Sequence, residues 1–177
     1  MKILAIDGSP RNGNTQFILG CILSNAKGAE TELIKLKSHS IDFCGGGDSC
    51  CPVNLKCHIR DDMPNIYAKL EAADIIVLGS PCYFSNVTAI MKNFMDRCNP
   101  YFFNKKLAGK KFFLVSVGGY EKSIKEAIKC MENFLNGIKG KVIGSFYTVA
   151  DKLGETAKND KVIKELQNIS EQLIKNA

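Results

Sequence analysis

The run Lys2-Ile3-Leu4-Ala5-Ile6-Asp7 passes directly into Gly8-Ser9-Pro10-Arg11-Asn12-Gly13-Asn14-Thr15. The first six residues are a short apolar run, as a buried strand requires. The next eight are small, polar or helix-breaking, as a loop requires. From Thr15 to Lys27, Phe17, Ile18, Cys21 and Ile22 recur on one helical face, and Gly28 ends the segment. Strand, loop and helix in this order begin a βαβ unit.

The same rhythm continues. Glu32 to Leu36, Ala73 to Gly79, Lys111 to Val117 and Val142 to Val149 read as strands. Helices are expected over residues 61–72, with Pro64 in the first turn, and over Val87 to Cys98, Ser123 to Leu135 and the tail from Asp160. Five continuous apolar strands alternating with five helices predict an α/β fold with a parallel sheet covered on both faces. For 177 residues the expectation is one domain, 1–177, doubly wound with strand order 2-1-3-4-5. Ligands then bind at the carboxyl ends of the strands, in the loops after strands 1, 3 and 4. Residues 37–60 break the rhythm as a cysteine-rich loop insertion, and a long irregular loop of this kind is functional or disordered.

Lys and Arg number 24 against 18 Asp and Glu, a net charge of +6 spread along helix faces. No dense basic block exists, which argues against nucleic acid, whereas a small anionic ligand suits the balance. The longest apolar runs, Ile75 to Leu78 and Phe112 to Val115, are far short of the ~20 residues of a membrane span. Lys2 and Asp7 stand too early for a signal-peptide core, so the expected location is cytoplasmic. Eight cysteines there are expected as reduced thiols, metal ligands or redox groups.

The first loop has the parts a phosphate needs. Ser9 and Thr15 bring hydroxyls, Arg11 a charge, Gly13 room for backbone, and the helix start free N–H groups. It lacks both the Walker ending and Gly-x-Gly-x-x-Gly. A capped polar turn is the plain alternative. Gly79-Ser80-Pro81-Cys82-Tyr83-Phe84-Ser85-Asn86 suits a flat aromatic ligand, or else a tight turn whose aromatics pack on the next helix. Ser116-Val117-Gly118-Gly119-Tyr120 offers backbone amides to a ring edge, though taken alone it reads as a plain turn.

Gly-Ser-Pro-Arg-x-Gly-Asn-Thr at 8–15, Gly-Ser-Pro-x-Tyr-Phe at 79–84 and Met91-Lys92-x-Phe94-x-Asp96-Arg97 together resemble the flavodoxin-like NADPH-dependent FMN reductase family. The cysteine loop, closing with Cys57-x-x-x-Asp61-Asp62-Met63, more narrowly resembles the iron–sulfur flavoproteins of anaerobes. By position, the resemblance implies that Ser9, Arg11, Gly13, Asn14 and Thr15 hold the FMN phosphate. Pro81, Cys82, Tyr83, Phe84 and Ser85 then line the ribityl chain and isoalloxazine, and Ser116, Gly118 and Gly119 touch the far ring edge. Asp96 and Arg97 are assigned to fixing the helix and subunit contacts.

The family loop is Cys-x-x-Cys-x-x-Cys with a fourth cysteine beyond, binding a four-iron iron–sulfur cluster. Here Cys44, Gly47, Cys50 and Cys57 fall at those places, and an extra Cys51 sits beside Cys50. The candidate metal ligands are therefore Cys44, Cys50, Cys51 and Cys57, with Asp48 or His58 as non-cysteine substitutes. Zinc on the same thiolates, and a loop that has lost its metal, are alternatives. Cys21, Cys98 and Cys130 lie on apolar helix faces and read as structural.

The implied function is an FMN-dependent oxidoreductase of the NAD(P)H-dependent FMN reductase type. A reduced nicotinamide or ferredoxin-like donor would supply electrons to an unnamed acceptor. The alternatives are an iron–sulfur flavoprotein carrying electrons between redox partners, and a non-redox binding module on the same fold. The family implies a homodimer or homotetramer, and Tyr101-Phe102-Phe103 is expected as apolar surface for such a contact.

Overall fold

The computed structural model describes residues 1–46 and 50–175. Along the chain run β1 (Lys2–Asp7), α1 (Asn14–Asn25), β2 (Glu30–Lys35), α2 (Cys51–Asn54), α3 (Met63–Ala72) and β3 (Ile75–Pro81). There follow α4 (Ala89–Arg97), α5 (Pro100–Asn104), β4 (Lys111–Gly118), α6 (Glu121–Gly137), β5 (Lys141–Val149) and α7 (Asp160–Lys175). The five strands form one sheet in the order β2-β1-β3-β4-β5, every pair parallel. This is the expected doubly wound order. Boundaries move by a few residues, and two short helices, α2 and α5, had no periodic signal to reveal them.

The side-chain alternation of the strands sorts the core into two layers. Leu4, Ile6, Ile76, Leu78, Phe112 and Leu114 pack against α3, α4 and α6. Ile3, Ala5, Ile75, Val77, Phe113 and Val115 pack against α1 and α7. Both faces are therefore buried, which is why β1, β3 and β4 are apolar at successive positions. The loops that follow β1, β3 and β4 consequently gather at one end of the sheet.

These loops are fastened together. The Gly8 N–H donates to the Gly79 carbonyl at 2.8 Å, and Thr88 Oγ1 donates to the Gly8 carbonyl at 2.6 Å. Thr88 also caps α4, accepting from the Met91 N–H at 3.2 Å. A Cβ on Gly8 would stand 2.7 Å from Met91 Cβ, so glycine here is required by close approach of helix and loop. One expectation fails at α5. Tyr101 is buried, its hydroxyl within donating reach of the Tyr67 carbonyl and of Glu71, and only Phe102 of the aromatic run is about half exposed. Helical twist splits three consecutive residues among different faces, so the run is not one patch.

Candidate functional site

A cleft of about 160 Å³ opens at the carboxyl ends of β1, β3, β4 and β5. Of the residues expected there, Ser9, Arg11, Asn14, Thr15, Pro81, Cys82, Tyr83, Gly118 and Gly119 line it together. Three separate sequence segments thus converge, as the strand order requires. Val117, Ala150 and Asp151 also line it. Extending the carboxyl-end rule to the fifth strand would have found Ala150 and Asp151.

The β1 loop is shaped by its own hydrogen bonds. Ser9 Oγ donates to the Arg11 carbonyl at 2.8 Å and accepts from the Arg11 N–H at 3.3 Å. Among the described residues no side chain caps α1 at Gly13, so its first-turn N–H groups remain for an acceptor. The Arg11 side chain is exposed beside them and has no ion-pair partner among the described residues. Gly13 itself has φ −146°, an extended backbone, and its near neighbour is Leu153 Cδ1, 3.0 Å from where a Cβ would stand. Asn14 has a second role. Its Nδ2 donates to the Lys152 carbonyl at 2.9 Å, and its Oδ1 accepts from Thr156 Oγ1 at 3.1 Å. The side chain clasps the β5 loop, leaving the backbone of Asn14 for a ligand.

The β3 loop makes a tight hairpin. Tyr83 and Asn86 exchange N–H···O=C bonds of 2.9 and 3.0 Å across Phe84 and Ser85, whose φ values are +50° and +60°. Two positive φ values define a turn that normally takes glycine or asparagine. Phe84 is thereby presented fully to solvent, outside the cleft lining, and Ser85 contacts Ser123 Oγ at 3.1 Å. Burial raises the Cys82 thiol above its ordinary value, holding it protonated. Ser116 does not reach the cleft. It is fully buried in β4, opposite Ser80, with its hydroxyl unpartnered among the described residues. Just beyond β4, a Cβ on Gly119 would strike Asp151 Oδ1 at 2.2 Å, so glycine lets the two loops approach.

The donor set fits a phosphorylated flavin: a cation, hydroxyls and helix N–H groups beside the half-exposed Tyr83 in one cleft, with Phe84 and Tyr120 exposed in the same loops outside its lining. The cysteine loop is different. Cys50 and Cys51 Sγ stand 3.6 Å apart, while Cys57 Sγ accepts from Arg97 Nη2 at 3.5 Å. Cys44 instead borders a separate cavity of about 430 Å³ with Met95, Cys98 and Phe102. Burial, reinforced by the Cys50 and Cys57 thiols, pushes Cys51 up to about 11. Among the described residues no three Cys, His, Asp or Glu side chains form a group able to hold a metal ion. The described arrangement therefore does not fit a four-thiolate cluster. Gly47 and Asp48 lie outside the described residues.

What anchors this loop is Arg97, fully buried at the end of α4. Its guanidinium forms a two-pronged ion pair with the buried Asp61 and donates from Nη1 to the Asp42 carbonyl at 2.7 Å. Burial acts against both charges, but the pairing outweighs it, lowering the Asp61 pKa and raising that of Arg97. Arg97 is thus an internal clamp rather than a subunit contact. Asp96, by contrast, is exposed and pairs with Lys92 at 2.6 Å.

The sequence pattern of the family described as NADPH-dependent FMN reductase matches residues 1–154. An iron–sulfur flavoprotein of Archaeoglobus fulgidus is 46% identical over 99 residues, 55% of this chain and 48% of that protein. The chain thus spans about half the length of that relative. An NAD(P)H-dependent FAD/FMN reductase of Geobacillus thermodenitrificans is 25% identical over 98% of this chain and 89% of its own. Among solved structures, a flavone reductase superposes with TM-score 0.75 at 23% identity, covering 96% of this chain and 60% of that one, a likeness of fold.

Proposed function

The chain belongs to the NADPH-dependent FMN reductase family, and on that premise we propose that it is an FMN-dependent oxidoreductase taking electrons from NAD(P)H or a ferredoxin-like donor. One observation carries the reading: the uncapped start of α1, Arg11 and the hydroxyl-bearing loop converge with the β3 and β4 loops on one cleft. Bound flavin supplies the hydride and electron chemistry. The chain's part is to bind and orient. Arg11, Ser9, Thr15 and the backbone of Gly13 and Asn14 receive the phosphate. The cleft is small beside the ~300–1,000 Å³ of whole-ligand pockets, so the ring system belongs at its mouth, among Tyr83, Phe84, Ser85 and Tyr120. Gly118 and Gly119 offer backbone to the ring edge, and Pro81 and Cys82 form the wall.

The residues form one FMN-binding unit in this reading, and the exposed aromatic mouth is where a second copy would cover the flavin in a homodimer or homotetramer. No helix among the described residues is long and apolar enough to cross a membrane. A cytoplasmic setting is the reading that the thiol-rich composition supports. The test is direct. Protein refolded with FMN and desalted should retain yellow colour, and NAD(P)H added without oxygen should bleach it. Retained flavin that NAD(P)H leaves oxidised, but a ferredoxin-like donor reduces, would select the second donor class. Protein that retains no FMN would refute the proposal.

A second reading, an iron–sulfur flavoprotein acting as electron carrier, is favoured by the name of the 46% identical relative. It requires Cys44 to join Cys50, Cys51 and Cys57. Iron and labile sulfide in protein purified without oxygen would support it, and their absence would remove it.

A further inference from the structure

Asp7 is the last residue of β1 and is 1% exposed. Its Oδ1 accepts the Ser9 N–H at 2.9 Å, inside the loop that lines the cleft. Its Oδ2 is buried with no hydrogen-bond partner among the described residues. An ionised carboxylate in that position leaves one oxygen desolvated and unmet, a cost that protonation removes.

The charged groups facing it are few. Lys35 stands opposite it on β2, and Lys37 follows in the next turn, its Nζ held by Asn12 Oδ1 at 2.7 Å. On its other side β3 brings Gly79, and α1 begins with the uncharged Asn14, Thr15 and Gln16. Burial is the largest influence and raises the carboxyl from 3.8 to about 6, against the Ser9 N–H and the two lysines. The group therefore changes charge close to neutrality, before any ligand arrives.

We propose that Asp7 takes up a proton when the FMN phosphate enters the β1 loop, so that cofactor binding is linked to pH through a residue beneath the phosphate. The inference rests on the FMN reading above. A phosphate dianion in the loop is a like charge to Asp7, and a like charge further disfavours the carboxylate. The step is a protonation only: one proton passes from solvent to the Asp7 carboxyl and no other bond changes. Above pH 6 the apo carboxyl is ionised, so binding must draw that proton in. Affinity then falls with rising pH, by up to ~tenfold per pH unit where uptake is complete.

The experiment is calorimetric titration of FMN from pH 6.5 to 8.5, in two buffers of different ionisation enthalpy, into wild type and Asp7→Asn. The amide keeps an oxygen for the Ser9 N–H and cannot titrate. The phosphate of FMN titrates near ~6 in both experiments and cancels in the comparison. Wild type should take up more protons per FMN than the variant, by up to about one. Its affinity should also fall more steeply with pH. Equal proton counts with parallel pH profiles would overturn the inference. If the variant does not fold, wild type alone decides, and zero proton uptake at pH 7–8 overturns it. FMN bound without proton uptake leaves the cofactor reading standing, whereas no FMN binding by either protein overturns both.

Discussion

Asp61→Ala tests how firmly the cysteine loop is tied to the doubly wound domain. The Arg97 side chain has no exposed surface and that of Asp61 only 2%. Removing the carboxylate leaves the guanidinium with the Asp42 carbonyl and the Cys57 thiol, while its Nε already lacks a partner among the described residues. Breaking a buried pair from one side costs about 3–5 kcal/mol, because a charge stays behind unpaired. Asp61 also accepts the Met63 and Asp42 N–H groups at 2.9 and 3.0 Å, so the α3 entry weakens too. Against a total stability of roughly 5–15 kcal/mol, the loss is a large share. It should lower Tm by about 6–20 °C for a chain of this size. Urea unfolding at pH 7 measures it. The double variant Asp61→Leu with Arg97→Met should lose less than Asp61→Ala, since no buried charge remains. The pH dependence has a definite sign. The Asp61 pKa is lowered in the fold, so its stabilisation is present above the unfolded value near 3.8 and is lost as pH falls through the lower folded value. The gap between wild type and variant should therefore hold at pH 5 and close only in stronger acid. A loss under ~1 kcal/mol, the worth of an exposed pair, would refute the clamp.

Three further outcomes are expected. Arg11→Ala should weaken FMN about ten- to hundredfold, as loss of a hydrogen bond to a charged group does; equal affinity by equilibrium titration, with the fold intact, would remove Arg11 from the phosphate site. Because the Asp7 pKa is raised in the fold, its ionised form costs stability that is absent below 3.8 and fully felt above about 6. Apo Asp7→Asn should accordingly be more stable than wild type at pH 7.5, by up to roughly 3 kcal/mol, with the gap closing toward pH 4 in urea melts; a constant gap would mean the carboxyl is not the cause. Ser85→Gly relieves a φ of +60° and loses only an exposed contact to Ser123, so stability should rise by up to about 1 kcal/mol, and a fall would show that the hydroxyl contact matters more.

What the sequence disclosed and what it hid divide along one physical line. Periodic burial is written locally: Ile75-Ile76-Val77-Leu78 announces a strand buried on both faces because every residue is apolar. Strand order followed from the alternation of such runs, and the cleft-lining β1 loop from small residues placed between a strand and a helix. Single long-range polar contacts leave no such period. Arg97 lies 36 residues from Asp61, and nothing local to either residue pairs it with the other. Asn14 resembles every other loop asparagine until its side chain is found clasping Thr156, 142 residues away. Asp7 reads as the polar end of a strand, and only the fold shows that one of its oxygens has no partner among the described residues. Such groups are expensive to bury and add little to specifying strand order. A fold that carries them incurs a stability cost, and in Asp7 that cost falls at the loop where a charged ligand is expected. A sequence reading locates the cleft; the polar groups that set its charge state emerge only from the packed structure.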